Sequence, residues 1–550
     1  MSNEAAVRWN LARRLWVAAA FLAALTWTVS RAQDNPTGIE EPGSSPDTET
    51  VDPEAPTADP AARPSSKPAV MPSERYALTD ENVAKAMERG IAFLWDHQQE
   101  DGSWPPYGRY RTGPTAMALY ALLESDVSVR DERIQAALQW LKKTPTSKTY
   151  CLALRCQAWR AAAEQGENCQ KALERDVGAL LKGTIGGCYT YDSGPPIPTR
   201  KAPRGRVVRR VVGDNSNAQY GLLGVWGGAQ ANLEIPRSYW QTVRNHWLKC
   251  QQASGGWAYT PRSRRGGERA TMTCAGLASL LVCMDNLDNT VHLHCGRSGL
   301  TRTEKAVEGG LAWLARHFDG QGKRRTFSRN GYYFYGVERV GLASGYKYLG
   351  KTDWYKTLGA ELLLLQRDDG AWPYHLGSRT VYVPRGKAVN PQDIVGTGYA
   401  LLFLARGRKP ILFNRLNYDG DWNNRPRALA NLTRWLSGVY EQDAHWQIVT
   451  LDAPPEEWHD APILVITGSL APTFSDVDAA KLRRYVLQGG TLVSITECGG
   501  QGFERGMRRA YKKIFPDYPM TAVPNDHKLH TIHYNIDSKW RELLSFHLAS

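Results

Sequence analysis

Two carboxylic acids and two tyrosines stand inside apolar stretches near the middle of the sequence. Glu338 and Tyr335 belong to NGYYFYGVERVG, and Asp393 and Tyr399 belong to QDIVGTGY. A carboxyl group acts as a general acid only where its neighbours keep it protonated. These four side chains are therefore the ones that would line a catalytic pocket. In the alternative interpretation, Asp393 caps its helix and the tyrosines fill the core.

A second group of polar residues follows three predicted strands, ILFNRL, PILVITG and TLVSITE. Asp421 comes after the first strand, Ser469 after the second, and Glu497 at the end of the third. Ligands of doubly wound sheets bind at the carboxyl ends of the strands, so these residues predict a binding crevice. Alternatively, Asp421 or Asn424 caps the helix that follows.

Basic residues are concentrated in five loops that lead into apolar helices. The loops are PPYGRYRTG, RKAPRGRVVRRVVGDN, PRSRRGGER, GQGKRRTFSRN and GSRTVYVPRGKAVN, with 19 Lys and Arg against two acidic residues. Because helix N-termini add positive potential, this rim should attract an anion such as an acidic glycan or a phosphorylated lipid. Alternatively, the loops are only solvated. The arginines expected to bind are Arg206, Arg209, Arg210, Arg264, Arg265, Arg324 and Arg325.

The elements that must position these residues are paired helices. In six pairs, an amphipathic run precedes a more apolar one, with a repeat of roughly 50 residues, which indicates a closed or solenoid array. Six apolar helices are hidden only if six amphipathic helices surround them. The outer runs cover 83–94, 134–141, 173–181, 239–248, 307–315 and 358–365, and the inner runs cover 112–124, 150–163, 217–231, 270–284, 332–349 and 394–405.

The phrases QQEDGSW, QQASGGW and QRDDGAW each follow an outer run. They resemble the Gln-Trp motifs of the terpenoid cyclase and prenyltransferase superfamily, which implies an all-α (α/α)6 toroid over residues 79–408. In that superfamily the Gln ties neighbouring helix ends together and the Trp stacks over the turn. The resemblance does not extend to catalysis. The sequence lacks the cyclase DxDD motif, and Gly396 occupies the place where a prenyltransferase has a zinc-binding His.

Residues 409–550 alternate strands and helices, which predicts an α/β doubly wound parallel sheet. LNYDGDW, LRRYVLQGGTLV and ECGG followed by FERGMRR resemble an uncharacterised bacterial domain family with a glutamine-amidotransferase-like, flavodoxin-like fold. The nucleophilic elbow of an amidotransferase is absent, because the surroundings of Cys498 do not fit it. The sheet is expected to be incomplete or to have its edge covered.

The N-terminus predicts export. Three arginines precede the apolar run LWVAAAFLAALTWTV. This pattern predicts that residues 1–32 are a signal peptide, or alternatively a retained membrane anchor. Residues 33–78 are rich in Pro and acidic residues and predict a disordered linker. The nine cysteines stand mostly in apolar runs and should act as small buried hydrophobes. His292, His294 and Cys295 match no standard zinc spacing, so neither a metal nor a cofactor is predicted.

These observations favour an exported cell-envelope protein that binds or scaffolds rather than catalyses. Its expected partner is a polyanion, an acidic glycan, an acidic lipid or an envelope protein, and export disfavours nucleic acid. The alternative is an enzyme that uses the toroid cavity on an isoprenoid or a polysaccharide. An enzyme would need Asp393 or Glu338 at the base of an open pocket.

Overall fold

The computed structural model describes residues 77–193, 213–261, 267–287, 300–318, 331–375, 389–497, 500–524, 526–528, 531 and 547–549. Residues 77–510 of this range belong to one compact unit, and the residues from Tyr511 onward belong to a second unit. Residues 1–76, with the predicted signal peptide and nearly all of the predicted linker, lie outside the described part of the chain.

Residues 80–407 form two concentric rings of helices. Each outer helix has one buried stripe, whereas the inner helices are buried nearly all round. The outer helices are α1 (Asp80–Asp96), α3 (Glu132–Lys143), α5 (Gln170–Gly183), α7 (Arg237–Cys250), α9 (Arg302–His317) and α11 (Trp354–Leu365). The inner helices are α2 (Gly113–Glu124), α4 (Thr149–Glu164), α6 (Asn215–Gln230), α8 (Ala270–Leu287), α10 (Gly331–Ser344) and α12 (Pro391–Gly407).

The inner ring is closed, because each inner helix packs against the next one and α12 returns to α2. This arrangement confirms the all-α toroid. Helix α8 is long and apolar enough to cross a membrane, with a mean hydropathy of 1.3, but 83% of it is buried because it belongs to the inner ring. The seven described cysteines are all buried, as predicted for small apolar side chains.

The Gln-Trp turns join neighbouring units through the same contacts in each copy. The Gln251 side chain donates to its own turn at Gly255 O (2.9 Å) and to Ala306 O of the next outer helix (2.7 Å). The Trp257 indole N–H donates to Trp247 O (2.9 Å). The equivalent bonds recur for Gln98 and Trp104 and for Gln366 and Trp372.

The turn from α11 closes the ring. The Gln366 side chain donates to Ala86 O of α1 (2.8 Å), which joins the last unit to the first. Gly370 in this turn has φ +87°, and a Cβ there would lie 2.3 Å from Arg89 O. Only glycine permits both that conformation and that approach. The sequence pattern therefore reflects ring closure.

Residues 411–496 form a four-stranded parallel sheet with the strand order β4-β3-β5-β6. The strands are β3 (Ile411–Asn417), β4 (His445–Thr450), β5 (Ile463–Gly468) and β6 (Thr491–Thr496), and the helices are α13 (Ala428–Tyr440), α14 (Asp476–Leu487) and α15 (Gln501–Ile514). This order is that of a doubly wound sheet and confirms the predicted fold class. In the described residues, β6 is an edge of this sheet.

Two short pairs of strands lie outside this sheet. β1 (Tyr348–Leu349) and β2 (Thr352–Asp353) form a hairpin between α10 and α11. In the part beyond Tyr511, β7 (Met520–Ala522) pairs antiparallel with β8 (His547–Ala549). Neither pair extends the parallel sheet.

The toroid and the sheet are joined by backbone hydrogen bonds. The helix predicted over 332–349 is too long, because α10 ends at Ser344 and Gly345 takes φ +80°. The Ile448 N–H of β4 then donates to Gly345 O (2.6 Å), and Tyr346 pairs in parallel with Ile448. A toroid segment thus pairs with the outer edge of β4 at Ile448.

Candidate functional site

Tyrosines fill the toroid axis. Tyr150 of α4, Tyr220 of α6, Tyr332 and Tyr335 of α10, and Tyr399 of α12 form what we call the tyrosine layer, with neighbouring ring centroids 4.7 to 6.4 Å apart. Helices α6 and α12 are opposite members of the inner ring, and the Tyr220 and Tyr399 hydroxyls are hydrogen bonded to each other. The rings therefore meet across the axis and close it.

The other hydroxyls of this layer bond to inner-helix side chains. The Tyr332 hydroxyl donates to Gln219 (2.6 Å), and the Tyr150 hydroxyl donates to Ser216 (2.8 Å). Burial raises the pKa of Tyr220 and of Tyr399 well above the usual value. These phenols are therefore neutral hydrogen-bonding groups at ordinary pH.

Beyond the tyrosine layer, towards the C-terminal ends of the inner helices, lies a buried charge cluster. It consists of Glu124, Arg160, Glu338, Arg339 and Arg406. Arg406 Nε lies 3.3 Å from Glu124, and Arg160 pairs with the same carboxylate. Burial opposes ionisation of Glu124, but Arg406 and Arg160 outweigh it and hold its pKa well below the usual range.

Glu338 is the member of the charge cluster whose side chain makes no hydrogen bond to the described residues. Its side chain is 0% exposed, and neither carboxylate oxygen has a hydrogen-bond partner among the described residues. The nearest cation, Arg406 Nη1, is 3.8 Å away. Burial raises the Glu338 pKa to about 7, although Arg406 and Arg339 oppose that rise. Glu338 has the proton affinity of a general acid, but it has no contact with solvent.

Asp393 is held by an ion pair. It lies in the first turn of α12, and its carboxylate accepts a hydrogen bond from Arg367 Nη1 at 2.8 Å. The predicted helix cap at Asp393 is wrong, because the side chain of Asn390 caps α12. Asp393 therefore fastens a Gln-Trp turn to an inner helix.

The opposite end of the axis, where the inner helices begin, presents aromatic and basic side chains. We call Tyr107, Arg109, Tyr110, Tyr191 and Tyr259 the mouth. The Arg109 guanidinium carbon lies 5.5 Å from the Tyr110 ring and 5.4 Å from the Tyr191 ring. Tyr107 and Tyr191 are 44% and 38% exposed. The Tyr110 and Tyr191 rings lie 6.2 and 6.1 Å from Tyr150, which links the mouth to the tyrosine layer.

The structure brings Asp421 and Ser469 together at the carboxyl edge of the sheet. Asn424 Nδ2 donates to both side chains, at 3.2 and 2.9 Å, and Asp421 also accepts from Leu470 N–H. Helix α13 begins at Ala428, so the predicted capping by Asp421 or Asn424 is wrong. Both residues instead fasten the loop after β3 to the loop after β5.

Glu497 lies at the end of β6, where its N–H bonds to Gly468 O (3.1 Å). Its side chain is buried, and Oε1 has no hydrogen-bond partner in the described part of the chain. On the same face of the sheet, Arg415 donates to Thr467 and to two loop carbonyls. Burial lowers the pKa of Arg415 to about 10.

Several predicted residues lie outside the described part of the chain. They include all seven arginines of the predicted anion site, as well as His292, His294, Cys295 and Cys498. Among the residues that are described, no group of three or more His, Cys, Asp or Glu side chains is arranged to hold a metal ion.

Sequence reasoning did not identify the ion pairs of the charge cluster. Arg160 and Arg406 stand in mostly apolar helices, which was the available signal, because a buried arginine needs a partner. It also missed Asp285, which forms ion pairs with Arg427 and Arg434 of the sheet region at 2.8 and 2.6 Å. Asp285 thus links the toroid to the sheet.

Comparison with known proteins gives a match for the sheet region. Residues 412–547 match a family model described as a domain of unknown function, DUF4159. No curated protein matches the chain. The likeness to an amidotransferase fold therefore stays a prediction.

Solved structures similar to the chain are toroid enzymes of low identity. A variant of the type II terpene cyclase MstE from Scytonema, with its substrate geranylgeranyl dihydroxybenzoate, is 14% identical over 59% of this chain and 97% of its own, with a TM-score of 0.37. A possible GH105 family member from Salmonella enterica is 12% identical over 62% and 98%, with a TM-score of 0.39.

A family 76 glycoside hydrolase from a bovine Bacteroides thetaiotaomicron strain is 9% identical over 60% of this chain and 78% of its own, with a TM-score of 0.41. At such identities the likeness concerns the fold alone. The chain is an α/α toroid followed by a parallel-sheet region, and residues 412–547 of the latter match DUF4159.

Proposed function

We propose that this protein is an exported binding protein of the cell envelope and that the toroid mouth binds an anionic ligand. The observation that carries the proposal is the position of Arg109, which lies between the Tyr110 and Tyr191 rings at the exposed end of the axis. A cation over aromatic faces keeps its charge available to an anion.

The charge of the loops supports the same function. Five loop sequences, each followed in the chain by an inner helix, carry 19 Lys and Arg against two acidic residues, while the whole chain has a formal charge of +13. The rest of the chain is therefore net acidic. Basic loops gathered at one end would raise the local concentration of an anion and speed its capture.

The interior of the toroid favours binding over catalysis. The tyrosine layer fills the axis, Glu338 is fully buried, and Asp393 is occupied by Arg367. An acid that transfers a proton to a substrate must come within hydrogen-bond reach of it. Neither Glu338 nor Asp393 meets that condition without a rearrangement.

The test is retention on immobilised heparin in a salt gradient, with the exported full-length protein. The variant replaces Arg109 and seven loop arginines with serine, and a control variant, Arg130→Ser, shows the effect of losing one charge on the loop between α2 and α3, at the other end of the toroid. We expect the variant to elute at clearly lower salt, because each lost contact to an anionic group of heparin weakens the salt-dependent part of the affinity. Unchanged elution would refute the proposal. The seven loop arginines are Arg206, Arg209, Arg210, Arg264, Arg265, Arg324 and Arg325.

Catalysis within the toroid remains the second candidate function, because Glu338 has a pKa raised to about 7 and no hydrogen bond. An enzyme of this kind would act on an isoprenoid or a polysaccharide. It requires the tyrosine layer to open, so Glu338→Gln should abolish turnover while ligand binding at the mouth persists. Equal turnover in this variant would exclude Glu338 as the acid.

A further inference from the structure

We infer that the ligand of the mouth is an acidic glycan, held by its sugar faces on Tyr107 and Tyr191 and by its acidic groups on Arg109. This inference rests on the proposed function, since it names the chemical class that the same surface would bind. It follows from how the aromatic rings are held, and from the mixture of charges around them.

The mouth is a preformed surface. Gly108 takes φ +48°, and Tyr110 N–H donates to Tyr107 O (2.8 Å), so a tight turn places Arg109 at its tip. The Tyr107 and Tyr110 rings are stacked, with centroids 6.4 Å apart and planes within 13°. Such a surface loses little conformational entropy when a ligand binds.

Hydrogen bonds through the hydroxyls fix the exposed rings. Gln392 Nε2 donates to the Tyr107 hydroxyl (2.9 Å), and the Tyr191 and Tyr259 hydroxyls bond to each other (2.7 Å). The hydroxyl groups of these rings are therefore engaged by protein, while Tyr107 and Tyr191 remain 44% and 38% exposed. Flat apolar faces with polar edges suit a sugar ring, which has C–H groups on its face and hydroxyls at its rim.

The charges next to the rings are of both signs. Lys148 Nζ lies 2.5 Å from Asp192, and the Ser147 hydroxyl donates to the same carboxylate (3.0 Å). The Asp192 side chain is 47% exposed. A carboxylate here accepts hydrogen bonds from sugar hydroxyls, which an acidic chain without sugars does not offer. This mixture favours an acidic glycan over a simple polyanion.

Arg109 supplies the contact to the acidic group. Its planar guanidinium matches a carboxylate or a sulfate with two parallel hydrogen bonds, which a lysine would not provide. Because the guanidinium lies over Tyr110 and Tyr191, an acid bound there is next to the stacking faces. The three side chains would therefore engage one acidic sugar and its neighbour together.

The test compares four polymers on the full-length protein by titration calorimetry. The probes are polygalacturonate as an acidic glycan, dextran as a neutral glycan, polyglutamate as an acidic chain without sugar, and single-stranded oligothymidylate. We expect polygalacturonate to bind most tightly. The Tyr107→Ala/Tyr191→Ala variant should weaken polygalacturonate by about tenfold or more, a typical loss for buried aromatic contacts, and leave polyglutamate unchanged.

Arg109→Gln should weaken polygalacturonate and polyglutamate alike. Matched controls are Trp435→Ala, which removes an aromatic side chain that is 54% exposed on α13, and Arg130→Gln. Equal binding of both acidic polymers, with no effect of the tyrosine variant, would overturn the glycan inference and leave anion binding intact. Tighter binding of oligothymidylate would overturn it in favour of a nucleic acid. Binding of none of the charged polymers would refute the proposed function itself.

Discussion

Replacing Trp257 with alanine should destabilise the toroid strongly. Trp257 is fully buried, and its indole lies against one glycine of each of two neighbouring helices. A Cβ on Gly276 of α8 would come within 2.5 Å of the indole, and one on Gly310 of α9 within 2.8 Å. Glycines have no side chain that can move into the space left by the ring.

The magnitude follows from that rigid cavity. Trp→Ala in a core costs about 3–5 kcal/mol, and the cost is highest where the site cannot collapse. The lost hydrogen bond from the indole to Trp247 O contributes about 1 kcal/mol within that total. For about 330 residues, an unfolding entropy of about 0.7 kcal/mol/K converts the loss into a Tm lower by roughly 4–7 °C.

The assay is thermal unfolding followed by circular dichroism, with Trp257→Phe as the matched variant. Phenylalanine keeps a buried ring but removes the indole N–H, so its Tm should lie between those of the parent and the alanine variant. A Tm of Trp257→Ala within one degree of the parent would show that the turn does not stabilise the ring of helices.

Three further predictions concern the charge cluster, the joint and the linker. The Glu338 pKa is raised from 4.5 to about 7 in the folded protein, so protonation of this carboxyl stabilises the fold at low pH. That stabilisation is lost as the pH rises towards 7. Relative to the parent, Glu338→Gln should therefore gain about 2–3 kcal/mol of stability between pH 5 and pH 8 in urea unfolding, and a constant difference would contradict the assigned burial. Asp285→Ala removes the anion that pairs with Arg427 and should lower the free energy of unfolding by about 1–3 kcal/mol, and Asp285→Asn should lower it less. Equal Tm values for the parent and both variants would show that this ion pair does not stabilise the contact between the toroid and the sheet. Limited proteolysis should cut first within residues 33–75, and protection of that range would refute a disordered linker.

The toroid was predictable because its joints are local in sequence. Each Gln-Trp turn contains the Gln, the Gly with positive φ and the Trp within seven residues, so one phrase carries the hydrogen bonds and the close approach. The inner helices were equally clear, since a helix of this length that is apolar on all sides is buried rather than exposed to water.

The charge cluster was not predictable because its pairs are distant in sequence. Arg406 and Glu124 are 282 residues apart and meet only when α12 packs on α2. Read alone, Glu124 at the end of a helix looks like an exposed terminal residue. Glu338 was identified as polar among apolar neighbours, but its fully buried position depends on helices that the sequence does not pair.

The end of α10 illustrates the same limit. The apolar pattern continues through Tyr346 and Leu349, so periodicity extends the helix. The structure ends it at Gly345 because the backbone there bonds to β4, about 100 residues further along the chain. A long-range backbone contact thus overrides a local preference.

That backbone contact has a consequence for how the chain is made and inherited. During synthesis the toroid leaves the ribosome first, so the segment after α10 is made before its hydrogen-bonding partner β4. Strand β4 follows about 5–20 s later, at about 5–20 residues per second. A gene encoding residues 409–550 alone would produce a sheet whose β4 edge is bare, and bare edges promote aggregation. Exchange of either half between proteins would therefore be selected against, and the two halves should be found together more often than free recombination of domains would give.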